Sequence, residues 1–180
     1  MNTVQVRCID AYPKTETVTL YKFSLQPNDQ DISIGQHVTL AACDDIQLKP
    51  GTYTVVDKPN DGIFVVAIKK TGRNSLADVL HQRKNVPLHL TGVSGSSIPP
   101  SPKLLLLCGG VGITPAIAVL CQRSTLYRCC DIHLVVSAEK LTDLPFLAEL
   151  LDSHFSECKV TLTLFRTRSA LNKPADFLSH

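Results

Sequence analysis

The chain has 180 residues, of which 44% are hydrophobic, and a formal net charge of +2. That length allows one sizeable domain or two small ones, and that apolar share excludes a disordered chain. No basic run is longer than Lys69-Lys70, so there is no electrostatic footprint for nucleic acid or an anionic membrane surface. The start, MNTVQVRCIDAYPK, lacks a basic segment leading into a long apolar one, and nowhere are eighteen apolar residues consecutive. No membrane span and a cytoplasmic location are therefore expected.

Six short segments between residues 3 and 92 are rich in Val, Ile, Thr and aromatics and are separated by turn residues: VQVRCI, ETVTLYKFSL, QHVTLAA, TYTVV, GIFVVAIKK and VPLHLTG. One helical interruption, NSLADVLHQR, places Leu76, Val79 and Leu80 at i, i+3 and i+4. The pattern predicts an antiparallel six-stranded β-barrel with a capping helix, over residues 1–98. GSSIPPSPK then reads as a connector.

From residue 103 the period changes. KLLLLCGG reads as a strand buried on both faces, TPAIAVLCQRSTLYR as a helix, DIHLVVSA as a second such strand, LPFLAELLDSHF as a helix and KVTLTLFRT as a third strand. The order predicts a second domain over 103–180, an α/β parallel-sheet βαβαβ unit that is half of a doubly wound sheet.

The seven cysteines (Cys8, Cys43, Cys108, Cys121, Cys129, Cys130 and Cys158) are odd in number, scattered and without a C-x2-C pair. That argues against a zinc site, a plant-type iron–sulfur cluster and a secreted disulfide framework, and buried reduced thiols are expected. The adjacent Cys129 and Cys130 are read as packing residues ending a helix, with a redox-active pair as the alternative. The six histidines show no ligand spacing such as H-E-x-x-H, so no metal is expected.

CGGVGITP carries the clearest chemistry. Its glycines permit a tight turn and close ligand approach, Thr114 is placed to cap the following helix, and Pro115 suits a first turn. Exposed N–H groups and the positive helix end favour a diphosphate. Gly110 and Gly112 supply G-x-G, but Pro115 stands where a dinucleotide fingerprint has its third glycine, so a turn that binds nothing remains the alternative. After the second strand, Glu139 suits ribose hydroxyls and Lys140 a 2′-phosphate; either also reads as a solvated loop charge.

Five landmarks in order resemble the ferredoxin–NADP reductase superfamily, and within it the reductase module of flavohaemoglobins and related flavin reductases. They are IGQHVTL, YTVVDKPNDGIFVVAIKK, TGRNSLADVLH, CGGVGITPAIAVL and VSAEKLTDLPFLAEL, spanning roughly residues 3–165. The resemblance implies an FAD-binding barrel, a second domain for NADH or NADPH, and electrons passed through flavin to an external acceptor, a protein or a small molecule. It places Tyr53 and Thr54 against the isoalloxazine, with the Thr54 hydroxyl near the flavin N5. Gly72 and Ser75 would face the FAD diphosphate, and Gly109, Gly110, Gly112, Ile113, Thr114 and Pro115 would form the nicotinamide-dinucleotide site. From the residues alone, Tyr53 and Thr54 are also good strand formers and Ser75 a good helix N-cap.

Four departures accompany the matches. Gly51 stands where the family has an arginine two positions before the tyrosine, and His37 where it has an aromatic after Gly35-Gln36. Ser75 lies two residues farther from Leu80 than in the family pattern. The sequence stops at His180, before the family's Cys-Gly-Pro strand end, which predicts an open sheet flank at the third strand covered by a partner chain or by SALNKPADFLSH. Two functions follow: a flavin-dependent NAD(P)H oxidoreductase, or a non-catalytic relative that binds a nucleotide or a protein. A serine or cysteine hydrolase is disfavoured, because GVSGS is not G-x-S-x-G and no thiol has an evident base.

Overall fold

The computed structural model describes residues 4–26, 31–43, 48–60, 62–83, 86–96, 101–126, 130–152 and 158–167. The chain divides into two compact units, Met1–Ser97 and Ile98–His180.

In the first unit, strands β1 (Val4–Pro13), β2 (Val18–Ser24), β3 (His37–Ala42), β4 (Gly51–Asn60), β5 (Ile63–Lys69) and β6 (Leu88–Ser94) close a barrel in the order β1-β2-β5-β4-β3-β6. All six pairings are antiparallel. Closure depends on β1, whose first residues pair with β6 (Val4↔Leu90) and whose later ones pair with β2 across an irregularity at Cys8/Asp10. Alternation sends Tyr21, Phe23, Phe64, Leu40 and Leu90 into the interior. There the Tyr21–Phe23 and Phe23–Phe64 ring centroids are 6.1 and 5.5 Å apart, within the range in which aromatic pairs attract. Helix α1 (Leu76–Gln82) adds Leu76, Ala77 and Leu80 to the same core, while Val79 is only half-buried.

The second unit holds β7 (Lys103–Gly109), β8 (Cys130–Ala138) and β9 (Cys158–Arg166) in one parallel sheet of that order, joined by helices α2 (Thr114–Leu126) and α3 (Leu147–Leu151). The barrel with its capping helix and the separate three-stranded parallel sheet are the predicted architecture. Three local readings are corrected. The leucine run of β7 is not buried on both faces: Leu104 and Leu106 are half-buried, whereas Leu105 and Leu107 are 61% and 72% exposed. Buried Ile132, Leu134 and Val136 of β8 are in register with Leu104, Leu106 and Cys108 and so define the covered face. Helix α3 is shorter than 144–155: a 3-10 turn, Leu141–Asp143, precedes it, Phe146 at φ +68° blocks an earlier start, and 153–157 lie outside the described residues. Cys130 opens β8 rather than ending a helix; Cys129 and the 168–180 tail also lie outside the described residues. The described sheet has two edges, β7 and β9, with β8 between them, and the tail expected to cover the β9 flank lies outside the described residues.

Candidate flavin turn and nucleotide turn

Tyr53 and Thr54 are half-buried on β4, and their register places Tyr53 opposite Val38 and Thr54 opposite His37. Successive strand residues face opposite sides, so the two side chains do not share a face. The His37 imidazole Nδ1 lies 3.1 Å from the Thr54 hydroxyl. The departure from an aromatic at this position thus gives the hydroxyl a hydrogen-bond partner within the chain. Gly51 lies beneath the Tyr53 ring, where a Cβ would collide with the phenol oxygen and the adjoining ring carbons. Burial first, then the neighbouring Tyr21 and Asp78, pushes the Tyr53 phenol up to about 12, so it is a neutral hydrogen-bonding group at ordinary pH.

The turn before α1 converges on one carboxylate that the sequence reading passed over. Gly72 at φ +69° and Asn74 at φ +51° curl residues 71–75 around Asp78, which is 3% exposed. Its Oδ1 accepts from the backbone N–H groups of Thr71 (2.7 Å) and Gly72 (2.8 Å). Its Oδ2 accepts from the N–H groups of Arg73 (2.9 Å) and Ser75 (3.1 Å) and from the hydroxyls of Thr71 (2.8 Å) and Ser75 (2.9 Å). Ser75 is the N-cap, in a reciprocal capping box with Asp78. Burial alone would raise the Asp78 carboxyl, but the hydrogen bonds from Gly72, Ser75 and Thr71 outweigh it and hold the group well below the ordinary carboxylate range. The spacing S-x-x-D was the available signal for the box.

In the second unit the glycine turn closes β7. Gly109 is extended, and the helical backbone begins at once with a 3-10 turn, Gly110–Ile113, that runs into α2. Thr114 is consequently the first residue of α2 (φ −57°, ψ −41°), not a flanking cap, and its side chain is buried along with Ile113. The Thr114 N–H donates to the Val111 carbonyl within the turn. Gly110 has φ +51°, and a Cβ at Gly110 or Gly112 would find nothing within 4 Å. Gly109 faces the Ser137 hydroxyl, 3.5 Å from where its Cβ would stand. The Arg166 guanidinium donates to the Glu139 carbonyl at 3.2 Å, which places a cation, absent from the sequence reading, one residue from Lys140. Burial pushes the Cys108 thiol up, which keeps it protonated.

A cavity of about 510 Å³ opens elsewhere on the barrel, lined among others by Gln5, Arg7, Leu25 and Pro87; it shares no residue with either turn. Among the described residues there is no metal-ligating cluster, and no helix is long and apolar enough to cross a membrane.

A closed six-stranded antiparallel barrel followed by a separate parallel α/β unit is the two-domain fold of ferredoxin–NADP reductase-like proteins, and this chain has that fold. It is similar in structure to a flavohemoglobin of Malassezia yamatoensis, solved with bound FAD and heme (TM-score 0.78, 19% identity, all of this chain and 49% of the other). It is likewise similar to the flavohem-like FAD/NAD-binding domain of nitric oxide dioxygenase from Vibrio cholerae (TM-score 0.74, 13% identity, all of this chain and 81% of the other). In sequence it is 28% identical over 138 residues to flavohemoprotein B of Dictyostelium discoideum, across 67% of this chain and 32% of that protein. It is 31% identical over 152 residues to the glycine betaine monooxygenase reductase subunit of Pseudomonas aeruginosa, across 81% of this chain and 42% of that protein. The chain thus spans less than half the length of these curated relatives, and no family model matches it.

The two cofactors suggested by this fold meet different receptions. At the glycine turn the open space around Gly110 and Gly112 leaves room for a dinucleotide phosphate to approach the backbone. At the barrel turn the donors of Gly72 and Ser75 already hold Asp78, so the diphosphate of FAD does not fit there.

Proposed function

We propose that this chain is the reductase module of a flavin-dependent NAD(P)H oxidoreductase that passes electrons from a nicotinamide dinucleotide to an external acceptor, a protein or a small molecule. Residues 1–98 would be the flavin-type barrel and residues 103–180 the NAD(P)-type domain. The observation that carries this reading is the glycine turn: Gly110 in the left-handed region and open space around Gly110 and Gly112, at the carboxyl end of a parallel strand. In this reading the N–H groups of the 110–112 turn hold the dinucleotide phosphates. The Tyr53 ring offers a flat, uncharged contact in the barrel, while the Thr54 hydroxyl, on the other face of β4, is held by His37. Arg166 adds a positive charge next to Lys140, which favours NADPH over NADH through the 2′-phosphate. Seven cysteines, odd in number and without a C-x2-C pair, suit a reducing compartment such as the cytoplasm.

The test is oxidation of NADPH and NADH by the purified chain with a flavin and a dye acceptor. Turnover faster with NADPH is expected; no turnover with either nucleotide defeats the reading. The filled turn at Asp78 and the glycine at 51 favour a second reading, a relative that binds a nucleotide or a protein without catalysis. Nucleotide binding by calorimetry without dye reduction would select it.

A further inference from the structure

We infer that the turn at residues 71–75 is closed to the FAD diphosphate by the chain's own Asp78, so that any flavin taken up by the barrel gains nothing from its diphosphate at that turn. The inference rests on the reductase-module reading for which turn a diphosphate would meet, but it holds whether or not a flavin ring binds. A capping box by itself needs only two reciprocal bonds, between the N-cap and the third helical residue. Here the carboxylate also collects the N–H groups of Thr71, Gly72 and Arg73, which lie before the N-cap, and the Thr71 hydroxyl. A carboxylate has about four lone-pair sites, so the donors from four residues saturate it. A diphosphate arriving at these donors would have to displace Asp78.

Displacement is opposed from three sides. Asp78 is 3% exposed and belongs to a helix whose Leu76, Ala77 and Leu80 are fixed in the barrel core, so a carboxylate turned away from the donors would be buried and unpaired. A carboxylate left beside a diphosphate would repel it at short range. The arginine that the resembled family carries at position 51 is missing, and the glycine there is covered by the Tyr53 ring.

The experiment compares FAD with riboflavin, which shares the isoalloxazine and lacks the diphosphate, by flavin-fluorescence titration of the intact chain. Dissociation constants within about threefold of each other are expected; FAD binding at least about tenfold tighter, about 1.4 kcal/mol, overturns the inference. If neither flavin binds, the flavin part of the proposed function fails, and inorganic pyrophosphate decides the present point separately. The ¹⁵N–¹H signals of Gly72, Arg73 and Ser75 should then stay unmoved as pyrophosphate is added, and their movement overturns it. Asp78→Ser, which vacates the donors, should make the same three signals respond to pyrophosphate. Where that variant does not fold, the wild-type titration still decides.

Discussion

Asp78 ties stability to acid pH in a direction that follows from its surroundings. A carboxyl whose folded value lies below the unfolded one contributes stability that is complete above about pH 4, the unfolded value, and is lost as pH falls toward the folded value. Because Gly72, Ser75 and Thr71 hold Asp78 far down, the wild type should lose stability progressively below that point. Asp78→Asn should melt at a lower temperature at pH 7 and show a flatter profile between pH 5 and 3 in calorimetry, since the titrating group is gone. Equal profiles for the two proteins would mean the carboxylate is not held as described. The tyrosines give the alkaline counterpart. Burial pushes both Tyr21 and Tyr53 up to about 12, helped by Cys8 for the first and by Tyr21 and Asp78 for the second. A raised phenol favours the neutral folded form, so this stability is complete below about pH 10 and lost as pH rises toward 12. Absorbance at the tyrosinate band should therefore show a late-ionising class in the folded protein, diminished in Tyr53→Phe.

At the scale of elements, β4 and the glycine turn were legible to different depths. The strand pattern around TYTVV was plain from its β-branched and aromatic residues, but nothing in it indicated that the ring of Tyr53 folds back over Gly51. Gly51 is consequently a packing partner of Tyr53 as well as a departure from the family's arginine. Gly51→Arg should destabilise the barrel by about 1–3 kcal/mol, as overpacking does, and should not tighten FAD binding. Tighter FAD binding at unchanged melting temperature would show that the ring moves aside without cost. The S-x-x-D spacing signalled a capping box, yet the donors from Thr71, Gly72 and Arg73 depend on positive φ at Gly72 and Asn74, and an asparagine gives only a weak sign of that. In the glycine turn the two glycines separate shape from binding. Gly110→Ala forces a side chain into the left-handed region and should cost about 1 kcal/mol in denaturant unfolding. Gly112→Ala, with open space and no such backbone angle, should leave stability unchanged and weaken NADPH binding by placing a methyl where phosphate would approach. Equal loss of stability in both variants would remove the argument for a ligand cradle.

For the molecule as a whole, each unit has its own apolar interior, and the sequence distinguished the two through the change from alternating to continuous apolar runs. The continuous run misled in one respect. Four consecutive leucines look alike whether a strand is covered on one face or on two, because periodicity records side-chain type and not what packs against it. Register resolves the ambiguity: Leu106 lies opposite Leu134 on the covered face, and Leu107 opposite Val135 on the other. Leu134 is fully buried, so Leu134→Ala should cost about 2–5 kcal/mol. Leu107 is 72% exposed, so Leu107→Lys should change unfolding free energy by no more than about 0.5 kcal/mol. A large loss for Leu107→Lys would mean that this face of β7 is covered in the protein in solution, and covered tightly enough for a lysine to be excluded.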